Sequence, residues 1–265
     1  MVPRTTCLSR RLGAPASEPP PAIPNAVTDL PRIGITTSLN TTDSGAREQR
    51  VDLAYVRAVE RAGGLPLIVP MVATEAAAEA HAALLDGLVV TGGPAVLDGL
   101  VGELPDDISE TDPDRVASDV RVLRAFLDAR RPTLGICYGM QLASALRGGT
   151  IYADVERQVV GTAVHSRGRG GTTHPVALVG GTHFARVVGR DELEVNTRHV
   201  QAIAEPGEGL RVAARAPDGT VEAVETADGA FLGVQFHPEA MEPPLDALFA
   251  DLVARARARA AVAPR

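Results

Sequence analysis

LGICYGMQ, residues 134–141, is the stretch that decides the fold. An apolar strand runs into G-x-C-x-G and then into a helix. This is the spacing of a nucleophile elbow, where small residues on both sides of the nucleophile allow a sharp, strained turn. The turn would place Cys137 at a helix N-terminus, where the helix dipole and free N–H groups favour a thiolate. A buried structural cysteine beside packing glycines is the alternative interpretation. The strand-to-helix context favours the nucleophile.

Upstream of the elbow, strands alternate with helices, which is typical of a doubly wound, mostly parallel α/β sheet. The predicted elements are a strand at 32–38, a helix from 51 that ends at Gly63-Gly64, a strand at 65–70, a helix at 74–85 with Thr74 as its N-cap, a strand at 86–91, a helix through 116–127 and a strand at 132–136. Open sheets of this class bind ligands beyond the carboxyl ends of their strands. We therefore expect the functional site at that edge, where Cys137 lies.

Downstream of Gly148 the alternation weakens, and apolar segments follow one another without helical periods between them. The predicted elements are strands at 176–179, 184–188, 210–214, 221–225 and 231–234, and a final helix through 245–253 with Pro243 in its first turn. We expect these additional strands to be antiparallel and to contribute the rim of the site.

Length and composition favour a single domain. A chain of 265 residues with 45% hydrophobic content can bury one sizeable core. We expect residues 1–30 to form a disordered, Pro- and Ala-rich leader without a secretory signal. Residues 31–258 would form the domain and residues 259–265 a frayed tail. Cys7 falls in the leader and is interpreted as incidental.

The charge pattern argues against polymeric or membrane partners. The net charge is −7, from 26 Lys and Arg against 33 Asp and Glu, and the domain carries no basic run. We therefore expect neither nucleic acid nor membrane as a partner, and a small molecule as the substrate. Two cysteines give no disulfide framework, which favours a cytoplasmic protein.

Cofactor signatures are also missing from the sequence. No phosphate loop or dinucleotide fingerprint occurs, so we expect no cofactor. His165, His174 and His183 are nine residues apart, which is not a known metal-ligand spacing. We interpret these three histidines as loop residues and expect no metal.

GVQFHPE, residues 233–239, supplies the groups that a thiol nucleophile needs. A nucleophilic thiol requires a general base, and the base requires an acceptor on its other ring nitrogen. His237 and Glu239 are two residues apart, so in extended chain their side chains leave on the same face. We predict that His237 is the base and that Glu239 orients it; an exposed charged pair at a strand end is the alternative.

Gly92-Gly93 follows the predicted strand at 86–91 directly and suggests a turn where backbone approaches a ligand. An oxyanion hole in such a fold combines the N–H of the residue after the nucleophile with one from a glycine-rich loop. Here these groups would belong to Tyr138 and Gly93. A plain turn is the alternative, and the shared position at the ends of strands favours the oxyanion hole.

The motifs TGG, GICYGMQ and VQFHPE, in this order, resemble the class I glutamine amidotransferase fold, a flavodoxin-like architecture. Within that superfamily, residues 52–70, 196–201 and 215–223 are similar to the γ-glutamyl-γ-aminobutyrate hydrolases, a group of cysteine peptidases in family C26. The resemblance covers residues 31–254. It implies hydrolysis of a γ-glutamyl amide through a thioester on Cys137, with glutamate as a product.

The resemblance also implies binding residues. Gln141 matches a family glutamine that contacts the glutamyl moiety, and Gly92 of the double glycine is expected to bind substrate as well. Asn196, His199 and Gln201 match a substrate-side loop; for His199, a surface-strand histidine is the alternative.

Two departures from the family concern the substrate. Tyr138 stands where the hydrolases usually have arginine and matches instead the glutaminases that supply ammonia. Residues 94–97 also intervene between the double glycine and the acidic Asp98.

Three functions follow from these motifs. The first is a stand-alone hydrolase of a small γ-glutamyl substrate, with a homodimer left open. The second is a glutaminase subunit that passes ammonia to a synthetase partner. The third is a catalytically silent binding module, against which the complete set of catalytic motifs argues.

Overall fold

A computed structural model of the chain describes residues 30–241 and 245–262. The leader predicted for residues 1–30 lies outside this part except for Leu30, and so does Pro243. The last helix continues to Val262, beyond the boundary at 258 that the sequence suggested.

Fourteen strands make up the described sheets. They are β1 (Arg32–Thr36), β2 (Ser38–Thr41), β3 (Arg47–Arg50), β4 (Leu65–Val69), β5 (Gly87–Val90), β6 (Leu100–Val101), β7 (Thr133–Ile136), β8 (Thr150–Tyr152), β9 (Thr173–Leu178), β10 (Glu192–Asn196), β11 (Ala202–Glu205), β12 (Leu210–Arg215), β13 (Val221–Thr226) and β14 (Phe231–Val234).

Seven α-helices accompany them in the described part. They are α1 (Leu53–Arg61), α2 (Glu75–Leu84), α3 (Pro113–Asp128), α4 (Tyr138–Leu146), α5 (Val155–Gln158), α6 (His183–Val188) and α7 (Asp246–Val262). The predicted N-cap of α2 is confirmed, because the Thr74 side chain accepts a hydrogen bond from the Ala77 N–H.

One nine-stranded sheet organises the fold, in the order β10-β9-β12-β13-β14-β7-β5-β1-β4. The half from β14 to β4 is parallel, and the half from β10 to β14 is antiparallel. The predicted α/β class, with additional antiparallel strands in the C-terminal half, is therefore confirmed. A three-stranded sheet, β11-β8-β6, and the hairpin β2-β3 complete the described strands.

Helices cover both faces of the large sheet. On one face α7 packs against β1, β5 and β7 and buries Phe249 and Leu252, and on the other α3 buries Leu123 and Phe126. Each fully buried side chain of this kind contributes roughly 1.5–3 kcal/mol. None of the described helices is long and apolar enough to cross a membrane.

The strand predicted at 184–188 is wrong, because this segment forms α6. Local capping overrides the preference of Val187 and Val188 for strands. Thr182 caps the helix by accepting from the Ala185 N–H, and the carboxylate of Glu225 accepts from the backbone N–H groups of the first turn. Gly189 ends the helix in the left-handed conformation.

Candidate active site

The elbow at Cys137 is strained as the motif predicts. β7 ends at Ile136 and α4 begins at Tyr138, so Cys137 is the single residue between them. Cys137 itself has φ 50° and ψ −103°, a left-handed conformation that a non-glycine residue rarely adopts. Such strain costs about 1–3 kcal/mol and is typical of functional sites. The Cys137 N–H donates to the Val234 carbonyl at 2.7 Å, so backbone on both sides fixes the turn.

The two glycines of the elbow are required by close packing. A Cβ atom on Gly135 would lie 2.8 Å from the backbone of Gly139, and one on Gly139 would lie 2.5 Å from the carbonyl oxygen of Val90. Both distances are shorter than carbon tolerates against backbone. The G-x-C-x-G spacing therefore reflects the tight contact between α4 and the ends of β5 and β7.

Parallel pairing of β14 with β7 brings the distant HPE segment to the nucleophile. Val234 is the register partner of Ile136, so the residues that follow each strand share one edge of the sheet. Cys137 acts on the imidazole of His237 and raises its pKa, and His237 Nδ1 donates to Glu239 Oε1 at 2.7 Å. The sulfur, the imidazole and the carboxylate thus form a connected triad.

The electrostatics of the triad favour a protonated imidazole. Burial disfavours the charge on His237, but the hydrogen bonds to Cys137 and Glu239 outweigh it and raise the His237 pKa to about 10. The ring can therefore hold a proton at neutral pH and donate it from Nε2, because Nδ1 is fixed on Glu239. A general acid for a leaving amine needs this arrangement.

Asn196 fixes the backbone of the base. Its Oδ1 accepts from the His237 N–H and its Nδ2 donates to the His237 carbonyl, both at 2.9 Å. Both ends of the amide are thus engaged with the segment that carries the imidazole. These contacts give Asn196 a positioning role, while its predicted contact with substrate stays a prediction.

The double-glycine loop packs directly under the imidazole. A Cβ atom on Gly92 would lie 2.7 Å from His237 Cε1, so only glycine fits there. The Gly92 N–H donates to the Tyr55 hydroxyl at 3.0 Å. Burial, together with the charge of Glu239, raises the Tyr55 pKa well above its usual value. The hydroxyl of Tyr55 therefore stays neutral and holds the loop through the Gly92 N–H.

A buried arginine shapes the same loop from the other side. Arg115 donates to the Gly92 carbonyl at 2.9 Å, forms an ion pair with Asp119 at 3.2 Å and lies 4.5 Å from the ring centre of Tyr138. The Tyr138 side chain is fully buried. The residue after the nucleophile thus turns its ring into the core, which leaves its backbone N–H in the first turn of α4, where no helical acceptor is in reach.

A chain of glutamine side chains leads to the sulfur. Gln141 Nε2 donates to the carbonyl of Gln201 and to Gln235 Oε1, at 3.0 and 3.1 Å. Gln235 Nε2 in turn donates to Cys137 Sγ at 3.4 Å. The Gln201 side chain forms two hydrogen bonds with the backbone of Val96, just beyond the double glycine. These amides fix the elbow, the double-glycine loop and the segment that carries Gln201 relative to each other.

A cleft of about 300 Å³ opens over Cys137. Its lining brings together the predicted residues Gly93, Gln141, His199 and Gln201. Asn196 lines a neighbouring groove instead. The assigned roles of these residues in binding and in the oxyanion hole stay predictions. The cleft also contains Arg198 and Asp107, which are charged side chains that the motifs did not suggest.

Three other residues of the site escaped the sequence interpretation. Tyr55 falls on the apolar period of its helix, so its spacing indicates only a core residue. Arg115 lies in a charged stretch of α3, and Gln235 lies inside a recognised motif that gives it no role of its own. Each matters through a hydrogen bond to a residue distant in sequence. Tyr55 and Arg115 contact Gly92, which is 37 and 23 positions away from them, respectively. Gln235 contacts Cys137, which is 98 positions away. Of the three, only Gln235 could have been found from a local pattern, because it lies two residues before His237 and in extended chain points to the same face.

The interpretation of the remaining histidines as loop residues is wrong for His174 and His183 and correct for His165, which lies in the loop before residues 167–169. His174 lies on β9, His183 begins α6, and His165 is fully buried. Burial also excludes the surface-strand alternative for His199, which is only 4% exposed. Burial lowers the His199 pKa to about 4, so this imidazole is neutral at pH 7.

Three of these buried side chains meet a buried acid. We call the group of His165, His174, His199 and Glu222 the histidine cluster. Burial raises the Glu222 pKa to about 7. The cluster lies behind the cleft wall to which His199 contributes, and it is separate from the triad.

Known proteins share both the sequence pattern and the fold. The family model of peptidase C26 matches residues 31–239. The protein NtpR of Enterococcus hirae is 30% identical over 225 residues, which cover 79% of this chain and 91% of that protein. The γ-glutamyl-γ-aminobutyrate hydrolase PuuD of Escherichia coli is 32% identical over 219 residues, which cover 79% and 85% of the two chains.

A solved structure supports the fold alone. A putative GMP synthase subunit from Thermoplasma acidophilum superimposes with a TM-score of 0.61 at 18% identity, over 88% of this chain and 97% of that one. The doubly wound sheet with its antiparallel extension is therefore a fold shared with that structure.

Proposed function

The chain belongs to the peptidase C26 family of glutamine amidotransferase-like hydrolases, and from this premise we propose that it hydrolyses the γ-glutamyl amide bond of a small amine or amino acid. The observation that carries the proposal is the connected triad on a strained elbow, in which His237 holds a proton against Glu239 beside the sulfur of Cys137. This arrangement suits attack on an amide carbonyl and protonation of the departing nitrogen.

In the first half-reaction the thiolate of Cys137 attacks the γ-carbonyl carbon, and a C–S bond forms. The negative charge that develops on oxygen is stabilised by the N–H groups of Gly93 and Tyr138. The imidazolium of His237 gives its Nε2 proton to the amine nitrogen, and the C–N bond breaks. The amine leaves, and a γ-glutamyl thioester remains on the sulfur.

In the second half-reaction water replaces the amine. His237, now neutral, takes a proton from the water as its oxygen attacks the thioester carbon. The C–S bond breaks, glutamate leaves, and the thiolate and imidazolium are restored. Glu239 holds the ring in one orientation throughout, and Asn196 holds its backbone.

The charges of the cleft favour an amino acid head group. Arg198 is exposed in the cleft and has no hydrogen-bond or ion-pair partner among the described residues, so it can bind a carboxylate of the substrate. Asp107, which pairs with Arg169 at 2.8 Å, provides a negative charge on the same lining. An α-amino and an α-carboxylate group, as in a γ-glutamyl moiety, match these two charges.

The test is a panel of γ-glutamyl amides incubated with the purified full chain, with glutamate release as the readout and Cys137→Ala as the blank. We expect turnover of at least one γ-glutamyl amine or amino acid by the chain alone. Turnover of glutamine only, and only after a synthetase is added, would support the glutaminase subunit instead. If no amide is turned over under either condition, the result would support the third function, a catalytically silent binding module.

Within that panel, Arg198→Gln should raise KM with little change in kcat, because the guanidinium binds a part of the substrate that does not react. Arg190→Gln is a matched control, since Arg190 is exposed and lies outside the cleft lining. Equal KM values for the two variants would contradict the role of Arg198.

A further inference from the structure

The histidine cluster collects side chains from four separate segments. His174 comes from β9, Glu222 from β13, His165 from the segment before residues 167–169, and His199 from the segment after β10. One nitrogen or oxygen of each residue lies within 4.8 Å of the corresponding atoms of the others. All four residues are buried.

Hydrogen bonds to backbone fix two of the imidazoles. His174 Nδ1 lies 3.1 Å from the carbonyl oxygen of Pro175, and His199 Nδ1 lies 3.0 Å from that of Gln201. Because a carbonyl only accepts, each Nδ1 carries the proton. The lone pair of each ring is therefore on Nε2, and both Nε2 atoms are buried without a hydrogen-bond partner.

A carboxylate fixes the third imidazole in the opposite tautomer. His165 Nε2 lies 2.8 Å from Asp218 Oδ2. Asp218 Oδ2 also accepts from the Thr162 hydroxyl and the Ala163 N–H, at 3.0 and 2.9 Å, so this oxygen acts as an acceptor and His165 Nε2 carries the proton. The lone pair of His165 is then on Nδ1. The Thr197 hydroxyl lies 3.5 Å from this Nδ1 but donates its proton to the His165 carbonyl at 2.6 Å, so it supplies no proton to the lone pair.

All three lone pairs converge on Glu222. His174 Nε2 and His199 Nε2 each lie 3.5 Å from Glu222 Oε1, and His165 Nδ1 lies 3.8 Å from it. Neither carboxylate oxygen has a hydrogen-bond donor. Four acceptors thus face one another in a buried space. A single proton could bridge only one pair of them, whereas a cation would satisfy all four.

The spacing and the atom types select the cation. A tetrahedral zinc ion with bonds of about 2.0–2.1 Å holds its ligands about 3.4 Å apart, close to the separations from Glu222. Imidazole nitrogen suits zinc, copper, iron and nickel, whereas magnesium and calcium prefer oxygen ligands alone. Each imidazole also donates its other N–H to a carbonyl or carboxylate, as ligands of zinc do.

We propose that the histidine cluster binds one zinc ion as a closed, structural site with four protein ligands. The ion would join β9 and β13 to the segment that carries Asn196, His199 and Gln201. That segment holds the base through Asn196 and the double-glycine loop through Gln201. Zinc would therefore brace the cleft wall from behind, without taking part in the reaction.

The test uses the full chain with Cys137→Ala as the parent, so that the catalytic thiol cannot bind the metal. The protein is stripped with a chelator and titrated with zinc chloride against a chromophoric zinc indicator. We expect one zinc ion per chain. Glu222→Gln and His174→Asn, made in the same parent, should each weaken binding by about 100-fold or more, since even outer-shell partners account for about 10–100-fold.

His183→Gln is the matched control, because His183 pairs with Asp251 at 3.0 Å outside the cluster. This variant should bind zinc as the parent does. Equal affinity in the parent and in both cluster variants, or the absence of stoichiometric zinc in the parent, would overturn the proposal.

A second measurement avoids reliance on variants that fold poorly. The stripped parent is titrated with cobalt chloride, and the visible spectrum is recorded. Tetrahedral coordination by nitrogen and oxygen should give intense d–d bands that zinc abolishes on addition. Weak bands of six-coordinate cobalt, or bands that zinc does not displace, would contradict a closed zinc site. Neither outcome depends on the substrate of the triad.

Discussion

The triad and the histidine cluster both contain buried imidazole and carboxylate groups, but their hydrogen bonding differs. In the triad a donor lies between two acceptors, because the His237 ring lies between the sulfur of Cys137 and Oε1 of Glu239. In the histidine cluster every proton points outward, and four acceptors face one another. The first arrangement suits proton transfer, and the second suits a cation.

Removal of the base should give the largest effect. His237→Ala takes away the proton donor and acceptor of both half-reactions, so kcat/KM should fall by about 10³–10⁴-fold, the upper range for general acid–base catalysis. The melting temperature should change little, because the triad contributes little to the core. When combined with Cys137→Ala, the substitution should cost no further activity. Wild-type turnover in His237→Ala would exclude His237 as the base.

Replacement of the orienting carboxylate should have a smaller effect with a distinct pH signature. Glu239→Gln keeps the shape but loses the charge, and we expect a fall of about 10²-fold. Loss of the His237 proton should produce an alkaline limb in kcat/KM near pH 10. Because Glu239 raises the His237 pKa, this limb should move to lower pH in the variant. A limb at the same pH in both proteins would contradict the coupling.

Loss of the clamp on the base should be smaller again. Asn196→Ala removes two hydrogen bonds to the backbone of His237, each worth about 0.5–1.5 kcal/mol. We expect kcat to fall about tenfold while KM stays near the parent value. Asn40→Ala is the control, since Asn40 lies on the separate hairpin β2-β3. A rise in KM with unchanged kcat would assign Asn196 to substrate binding instead.

Thermal melting should identify the histidine cluster as a metal site, because the effect of Glu222→Gln on the melting temperature should change sign when zinc is removed. With zinc in excess, Glu222→Gln should melt about 2–4 °C below the parent, which corresponds to roughly 1 kcal/mol in a domain of this size. In chelator the order should reverse, because an amide always offers a donor to the imidazole lone pairs, whereas a carboxyl group offers one only when it is protonated. The same order under both conditions would contradict the distinction between the two regions.

The sequence was sufficient for the triad because its parts are local. The elbow is contiguous around Cys137, and the base and its orienter are two residues apart in one motif. Apolar periods likewise placed the parallel strands and their helices before the elbow. These features depend on backbone preferences and near neighbours, which a single sequence displays directly.

The rest depends on contacts between distant segments. The nearness of His174 to Glu222 follows from the order β9-β12-β13 in the sheet, which spacing along the chain does not reveal. The strand preference of residues 184–188 was overruled by Thr182 and by the carboxylate of Glu225, from another strand. Arg115 is a further example, because its partner Gly92 lies across the site.

Trapping of the acyl-enzyme tests the central claim most directly. The full chain is mixed with a γ-glutamyl amide that it turns over, quenched in acid during the steady state, and examined by intact-mass and peptide-mapping spectrometry. We expect a γ-glutamyl adduct on Cys137, absent from Cys137→Ala, which should release no glutamate. Continued glutamate release by Cys137→Ala, with no adduct on the parent, would contradict a thioester mechanism at this elbow.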